Sequence, residues 1–174
     1  MRLETDRLLL RSLQPDDVER LVSLWTDPVV TAFLGGPRDA QQVRAILQEE
    51  LVDPPSGRLG QWPLVDKASG ELVGDCGLIS KEIEGVTEIE LVYVLAPAAW
   101  GKGYATEIGL ALLRVAVEGL EQKRIVSLID EENAASRRVA QKLGMHREAA
   151  VKRPDGVERE LWVTGPALTR RAKA

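Results

Sequence analysis

The sequence is poor in the residues from which many reactive centres are built. Of its 174 residues, Cys76 is the only cysteine and His146 the only histidine. An intrachain disulfide and a cysteine-based zinc site are therefore excluded, as is any site with several histidine ligands. A serine–histidine–carboxylate triad would have to recruit His146. Basic residues are not in excess: 23 Lys and Arg stand against 27 Asp and Glu, a net charge of −4. That balance argues against a generic nucleic-acid binder, which needs a basic surface to neutralise phosphates. No apolar run reaches the ~20 residues of a membrane-spanning helix. The opening MRLETDRLLLR lacks the apolar core of a secretory signal, so a cytoplasmic address is expected, without membrane partners.

What remains is ordinary globular material, 44% hydrophobic and 29% charged. Its length suits one domain spanning 1–174, large enough for a core without covalent staples. Leu3 to Leu13 reads as a strand. Pro15-Asp16-Asp17 is a helix-start signal, and Val18, Leu21, Val22 and Trp25 follow at helical spacing until Asp27-Pro28. A second helix runs from Asp39 to Leu51, and Pro54 to Gly60 forms a surface loop. Strands follow at Trp62–Val65, Leu72–Ser80 and Thr87–Leu95, the last with Glu88, Glu90, Val92 and Val94 alternating against Ile89, Leu91, Tyr93 and Leu95. Turns are expected at Lys67–Gly70 and Lys81–Gly85. A nearly all-apolar helix covers 104–117 with Gly119 as its stop, which predicts burial on most sides. A strand at Arg124–Ile129, a helix at Asn133–Leu143 and a hairpin of Met145–Lys152 with Val157–Thr164 around Pro154-Asp155-Gly156 complete the chain.

The strongest local signal is WGKGYATE at 100–107, between a strand and a buried helix. Glycines let the backbone approach a ligand, and the first free N–H groups of the helix suit phosphate or pyrophosphate. A plain tight turn would use the same glycines. Two nucleotide patterns fail on context. A Walker A loop needs Ser or Thr after its lysine, and Gly103 follows Lys102 here. A Rossmann fingerprint needs a third glycine within an early βαβ unit.

Taken in order, ETDRLLLR at 4–11, ELVYVL at 90–95, WGKGYATE at 100–107, Asn133-Ala134-Ala135-Ser136 and Lys142-Leu143-Gly144-Met145 resemble the GNAT acetyltransferase superfamily. Within it they resemble the branch of the RimJ/RimL ribosomal-protein N-terminal acetyltransferases. The resemblance covers nearly the whole chain. It implies an α/β (α+β) fold of one GNAT-like domain, with a mixed, mostly antiparallel sheet splayed between its fourth and fifth strands and about four flanking helices. It implies acetyl-CoA as co-substrate, no metal, and a possible homodimer, since dimers are common among relatives. By the same resemblance, the backbone N–H groups of Gly101, Lys102, Gly103, Tyr104 and Ala105, with Thr106 in the same turn, hold the pyrophosphate. The backbone of Tyr93, Val94 and Leu95 pairs with the pantetheine arm as an added strand does. Asn133 contacts the pantetheine or its phosphate end. Two positions depart from the family pattern: Trp100 stands where Arg or Gln is usual, and Ala140 where a tyrosine general acid often sits. A thiol with an ordinary pKa of about 8.5 leaves at neutral pH with little protonation help. Ser136 is the candidate to stabilise that thiolate, although a first-turn serine is also common without a role.

The implied function is acetyl transfer to a primary amine, a protein N-terminus or a small molecule, by direct attack in a ternary complex. An ammonium must lose a proton before it attacks. Glu90, on the strand that lines the cofactor, is the candidate base, set against a solvated strand glutamate; Asp75 is the second choice, or a holder of substrate charge. Trp25 and Phe33 pack the first helices or wall the acceptor pocket, and the Pro54–Gly60 loop shapes it. Trp62 and Trp162 read as core. Cys76 reads as a buried structural thiol, and a catalytic His146 is not expected. Of the cationic Arg137, Arg138 and Lys142, the last two are candidates for the 3′-phosphate of coenzyme A. The alternatives are a catalytically silent acetyl-CoA sensor or partner-binding module, favoured by the missing tyrosine, and a nucleotide-phosphate enzyme, which would need ATP and magnesium.

Overall fold

The structure is a computed structural model and describes residues 1–122, 124–152 and 156–165. Strands β1 (Leu3–Glu4) and β2 (Leu8–Leu10) open the chain, and a single 3-10 turn at Pro15–Asp17 leads into helix α1 (Val18–Thr26). Helix α2 (Ala40–Val52) is followed by β3 (Gly60–Asp66), β4 (Leu72–Ile83) and β5 (Val86–Leu95). Then come α3 (Tyr104–Gly119), β6 (Val126–Ile129), α4 (Ala134–Lys142), β7 (His146–Lys152) and β8 (Glu158–Val163). The strands form one sheet in the order β1-β2-β3-β4-β5-β6-β8-β7. Every neighbouring pair is antiparallel except β5 and β6. This is the expected mixed architecture with four helices.

Three local expectations need correction. The strand expected over Leu3–Leu13 is two short strands, because the Thr5 N–H donates to Leu8 O (2.9 Å) and the Leu8 N–H to Thr5 Oγ1 (3.1 Å), closing a reverse turn. The splay therefore falls between the fifth and sixth strands. Strand β4 runs on to Ile83, since the turn is only Glu84-Gly85, both with positive φ (51° and 80°), the two-residue geometry that matches strand twist. Gly77 lies within β4: a Cβ there would collide with Gly60 O on β3, so glycine is what lets the two strands meet. Finally, α3 is not covered on most sides; Ile108, Leu112 and Ala116 are buried, while Leu110 is 49% and Val117 55% exposed. Residues Pro154 and Asp155 of the expected last turn, and the end of the expected 1–174 domain from 166 onward, lie outside the described residues.

Both faces of the sheet are covered. One face carries Val18, Leu21, Val22 and Leu24 of α1 and Leu47 of α2 against Val94. The other packs Ile108, Leu112 and Ala116 of α3 and Ala140 of α4 on Leu78, Leu91 and Trp62. Helix starts follow the sequence signals. Asp39 caps α2 by accepting from the Gln42 N–H at 2.8 Å, and Asp17 accepts from the Gln14 N–H at 2.8 Å while pairing with Arg11 at 2.6 Å.

The splay positions the site. Strands β5 and β6 share a single register pair, Glu90 with Val126. Beyond it side chains replace the ladder: the Ser127 hydroxyl donates to Leu91 O at 2.9 Å, and the Leu128 N–H donates to Glu90 Oε1 at 3.3 Å. The ends of the two strands then part, and the backbone of 93–95 borders a cleft.

Candidate active site

Two cavities lie against the sheet. The first, of about 380 Å³, lies in the cleft opened by the splay. Its walls include Tyr93, Val94 and Leu95 from β5, the loop at 100–106 except Lys102, and Asn133, Ser136, Arg138 and Lys142 from or beside α4. Val29, Val30, Phe33 and Leu34 close it from the connection between α1 and α2.

Its phosphate end is built by the loop before α3. Gly101 (φ 73°) and Gly103 (φ 80°) adopt the left-handed conformation that side chains disfavour. Gly103 is the N-cap of α3, and the first intrahelical bond runs from the Glu107 N–H to Gly103 O (3.0 Å). The N–H groups of Tyr104, Ala105 and Thr106 precede that bond and are free for an anion. Among the described residues no acidic side chain lines this cavity, and Arg138 and Lys142 do. The diphosphate and 3′-phosphate of a coenzyme A ester fit this donor set. Arg137 turns away, to Glu160 at 3.3 Å.

The loop is fastened from behind. Arg7 donates through Nε to Glu107 Oε2 (2.7 Å) and through Nη1 to Lys102 O (2.9 Å), and the Thr5 hydroxyl donates to Glu107 Oε1 (2.5 Å). The Arg7 guanidinium stands 4.7 Å from the Tyr104 ring centre, and the Tyr104 hydroxyl donates to Asp66. Lys102 contributes a carbonyl to this clasp and does not line the cavity. Trp100, at the position usually Arg or Gln, donates its indole N–H to Leu95 O at 2.8 Å. It ties the loop to the end of β5.

At the other end, Asn133 caps α4, accepting from the Ser136 N–H at 3.0 Å. Ser136 faces the cavity, and its carbonyl accepts from the Tyr93 hydroxyl at 3.3 Å. Burial pushes the Tyr93 phenol up to about 12, so it stays protonated beside the cleft. Ala140 is fully buried between α4 and the sheet.

The second cavity, of about 510 Å³, lies under α1 and α2. Trp25, Glu50, Gln61 and Asp75 line it, together with Pro55 and Gly60 of the expected substrate loop. The Trp25 indole N–H donates to Asp75 Oδ2 at 2.9 Å. Burial, opposed by that bond and reinforced by Glu50, raises the Asp75 carboxyl to about 6. Burial raises Glu50 as well. Asp75 and Val94 are direct cross-strand partners, so their side chains share a face. Asp75 thus stands beside the strand that borders the first cavity.

The structure places Glu90, the sequence candidate for the base, elsewhere. It is 6% exposed, takes the Leu128 N–H, and has Lys81 Nζ 3.0 Å from Oε2. It lines neither cavity. Glu88 is not a solvated strand residue either: it is 5% exposed and paired with Arg124 at 3.2 Å. Phe33 walls the first cavity and Trp25 the second. Cys76 is buried with its thiol pKa pushed up by burial, and His146 is exposed at the start of β7. Sequence reasoning missed Glu50; its only signal was an acidic residue one turn after Leu47 on the apolar side of α2. Among the described residues, no group of three His, Cys, Asp or Glu could hold a metal ion.

Comparison with known proteins agrees with this geometry. A family model described as an acetyltransferase (GNAT) domain matches residues 7–146. The protein YkkB of Bacillus subtilis is 33% identical over 153 residues, 87% of this chain and 89% of its own. An acetyltransferase structure from Agrobacterium tumefaciens superposes with a TM-score of 0.79 at 25% identity, covering 95% of both chains. The aminoglycoside acetyltransferase AAC(6')-Ib, solved in complex with coenzyme A, shares the fold with a TM-score of 0.71 at 20% identity, covering 90% of this chain and 94% of its own.

Proposed function

The chain belongs to the GNAT acetyltransferase family and is an acyl-CoA N-acyltransferase; on that premise we propose that it transfers acetyl from acetyl-CoA to a primary amine by direct attack within a ternary complex. One observation carries the reading. A cleft with no acidic side chain among the described residues joins the left-handed glycine turn before α3 to the parted ends of β5 and β6. That arrangement fits a phosphate-bearing ester whose extended arm borders the backbone of Tyr93, Val94 and Leu95. The N–H groups of the 101–106 turn hold the diphosphate, and Arg138 or Lys142 meets the 3′-phosphate. Asn133 orders the start of α4, and the Ser136 hydroxyl meets the sulfur as it leaves. Glu90 holds the splay open through Leu128, and the proton acceptor lies elsewhere.

We place it in the RimJ/RimL-like branch on the resemblance of its ETDRLLLR opening, whose Thr5 and Arg7 form the clasp on Glu107. No described helix is long and apolar enough to cross a membrane, and a cytoplasmic enzyme remains our reading. Calorimetric titration with acetyl-CoA, followed by free-thiol release with a panel of peptide and small-molecule amines, tests it. Binding with turnover on at least one amine is expected. Tight binding without turnover on any amine replaces the enzyme with a sensor, and absence of binding removes the assignment of the cleft.

A further inference from the structure

Backbone pairing across the splay ends early, at the single register pair Glu90–Val126. Three residues farther along, β5 has reached Tyr93 and β6 has reached Ile129, whose cross-strand partner on β8 is Glu160. Tyr93 and Glu160 therefore stand level with each other on opposite banks of the cleft. Tyr93 and Ile129 pack into the core under α3 and α4. Direct cross-strand partners share a face, so Glu160 also points to the α4 side. The first turn of α4 lies over the gap and touches both banks. The Ser136 carbonyl accepts from the Tyr93 hydroxyl at 3.3 Å. The next residue, Arg137, places Nε 3.3 Å from Glu160 Oε2, and its Nη1 donates to Glu131 O at 2.9 Å. Successive helical residues point about 100° apart, which is how one turn reaches strands two places apart in the sheet. Glu160 is a fixed anchor: it is 8% exposed, accepts from the Trp162 indole at 2.9 Å and pairs with Arg147 Nε at 2.9 Å. The Asn133 cap accepts from the Ser136 N–H, so Ser136 and Arg137 belong to one ordered turn.

Resting on the acetyl-CoA reading above, we infer that the first turn of α4 is a brace that fixes the width of the splay beside the thioester. Arg137 is its positioning residue, acting through Glu160 and Ser136, and the size of the acyl group accepted follows from that width. The Ser136 hydroxyl, which on that reading meets the sulfur, owes its place in the cleft to the same brace. The acyl group is bonded to that sulfur, so it lies within reach of the gap that Tyr93 and Glu160 flank. The Arg137 side chain is 42% exposed. An ion pair half open to water adds little to global stability, so this one suits setting a position more than holding the fold. One methylene in a fixed apolar slot changes discrimination by about 10–200-fold, which makes acyl length a sensitive gauge of the gap.

The test compares acetyl-CoA with propionyl-CoA, which carries one more methylene beside the thioester carbonyl. Calorimetry on the full chain should show acetyl-CoA bound about tenfold or more tightly than propionyl-CoA. Arg137→Ala should bring the two affinities within about threefold, and Arg137→Lys, which keeps a cation beside Glu160, should restore most of the preference. A parent without preference, or a preference unchanged in Arg137→Ala, overturns the inference. Glu160→Gln keeps an acceptor for the Trp162 indole and loses the ion pair, so it should act in the same direction. Combining it with Arg137→Ala should add less than about twofold; fully additive effects would give the two residues separate roles and overturn the brace. Arg147→Ala removes a partner of Glu160 that is not on α4 and should leave the preference within about twofold; an effect equal to that of Arg137→Ala overturns the part played by α4. In the ligand-free protein, Arg137→Ala should speed amide exchange over residues 137–142 about tenfold or more while residues 108–116 of α3 keep the parent rates. Unchanged exchange in α4 overturns the brace. That measurement uses no thioester, so it decides the brace by itself, whereas a parent that binds neither ester removes the acetyl-CoA reading and the acyl role with it.

Discussion

Asp75 should cost the ligand-free protein stability, and the cost should depend on pH. Its carboxyl sits at about 6 in the folded chain against an ordinary 3.8, chiefly through burial. The folded value lies above the unfolded one, so the folded state favours the neutral acid. That stabilisation is fully present below about pH 4 and is lost as pH rises through about 6. The gap corresponds to about 3 kcal/mol. Asparagine keeps an acceptor for the Trp25 N–H and cannot ionise. Asp75→Asn should therefore be within about 1 kcal/mol of the parent at pH 4 and about 3 kcal/mol more stable at pH 8. Urea unfolding of both proteins at pH 4, 5, 6, 7 and 8 measures the difference, and other titrating groups cancel between them. A difference that is flat from pH 4 to 8 would refute the reasoning, because it would mean that the Asp75 carboxylate is not penalised in the fold.

Gly103→Asp should weaken coenzyme A binding at least tenfold more than Gly103→Asn, the uncharged variant that tolerates the same φ. Arg7 Nη2 would lie 3.5 Å from the new Cβ and offset part of the charge, so calorimetry at low salt is the sensitive comparison. Glu90→Gln should lower stability by about 1–3 kcal/mol by weakening the contacts with Lys81 and Leu128, yet leave the shape of the pH–rate profile intact. Loss of the acidic limb in that variant would make Glu90 the base after all. Ser136→Ala should lower kcat about tenfold with little change in acetyl-CoA affinity, read by stopped-flow thiol release.

What could be read from the chain alone divides along sequence distance. The loop at 100–107 was legible because its chemistry is local: two glycines, a helix start and the strand before it all lie within fifteen residues. The helix starts near Asp17 and Asp39 were legible for the same reason. The split of the first strand was hidden because its cause, the Thr5 hydroxyl, is a side-chain effect inside a run that otherwise reads as extended. The Glu84-Gly85 turn lacks the usual Asn or Asp, so the expected turn was drawn too wide. Carboxylates were the hardest. Glu88 and Glu90 look solvated by alternation, yet their partners Arg124, Lys81 and Leu128 arrive from other strands or their approaches. Asp75 gains its character from Trp25 and Glu50, 50 and 25 residues earlier, once two helices fold over the sheet. A candidate base was recognisable as a type of residue, but which of Glu90 and Asp75 faces a cavity is set by contacts distant in sequence.

The Arg7–Glu107 clasp makes the opening hairpin a silent party to the nucleotide grip. Whatever steadies the turn before α3 must steady residues 5–10 to the same degree, because free-energy coupling between two sites runs equally in both directions. Amide exchange in that hairpin should slow when coenzyme A is added, although the ligand never touches it. Conversely, a substitution at Thr5, far outside the cleft wall, would loosen affinity while passing for an innocent change at the periphery.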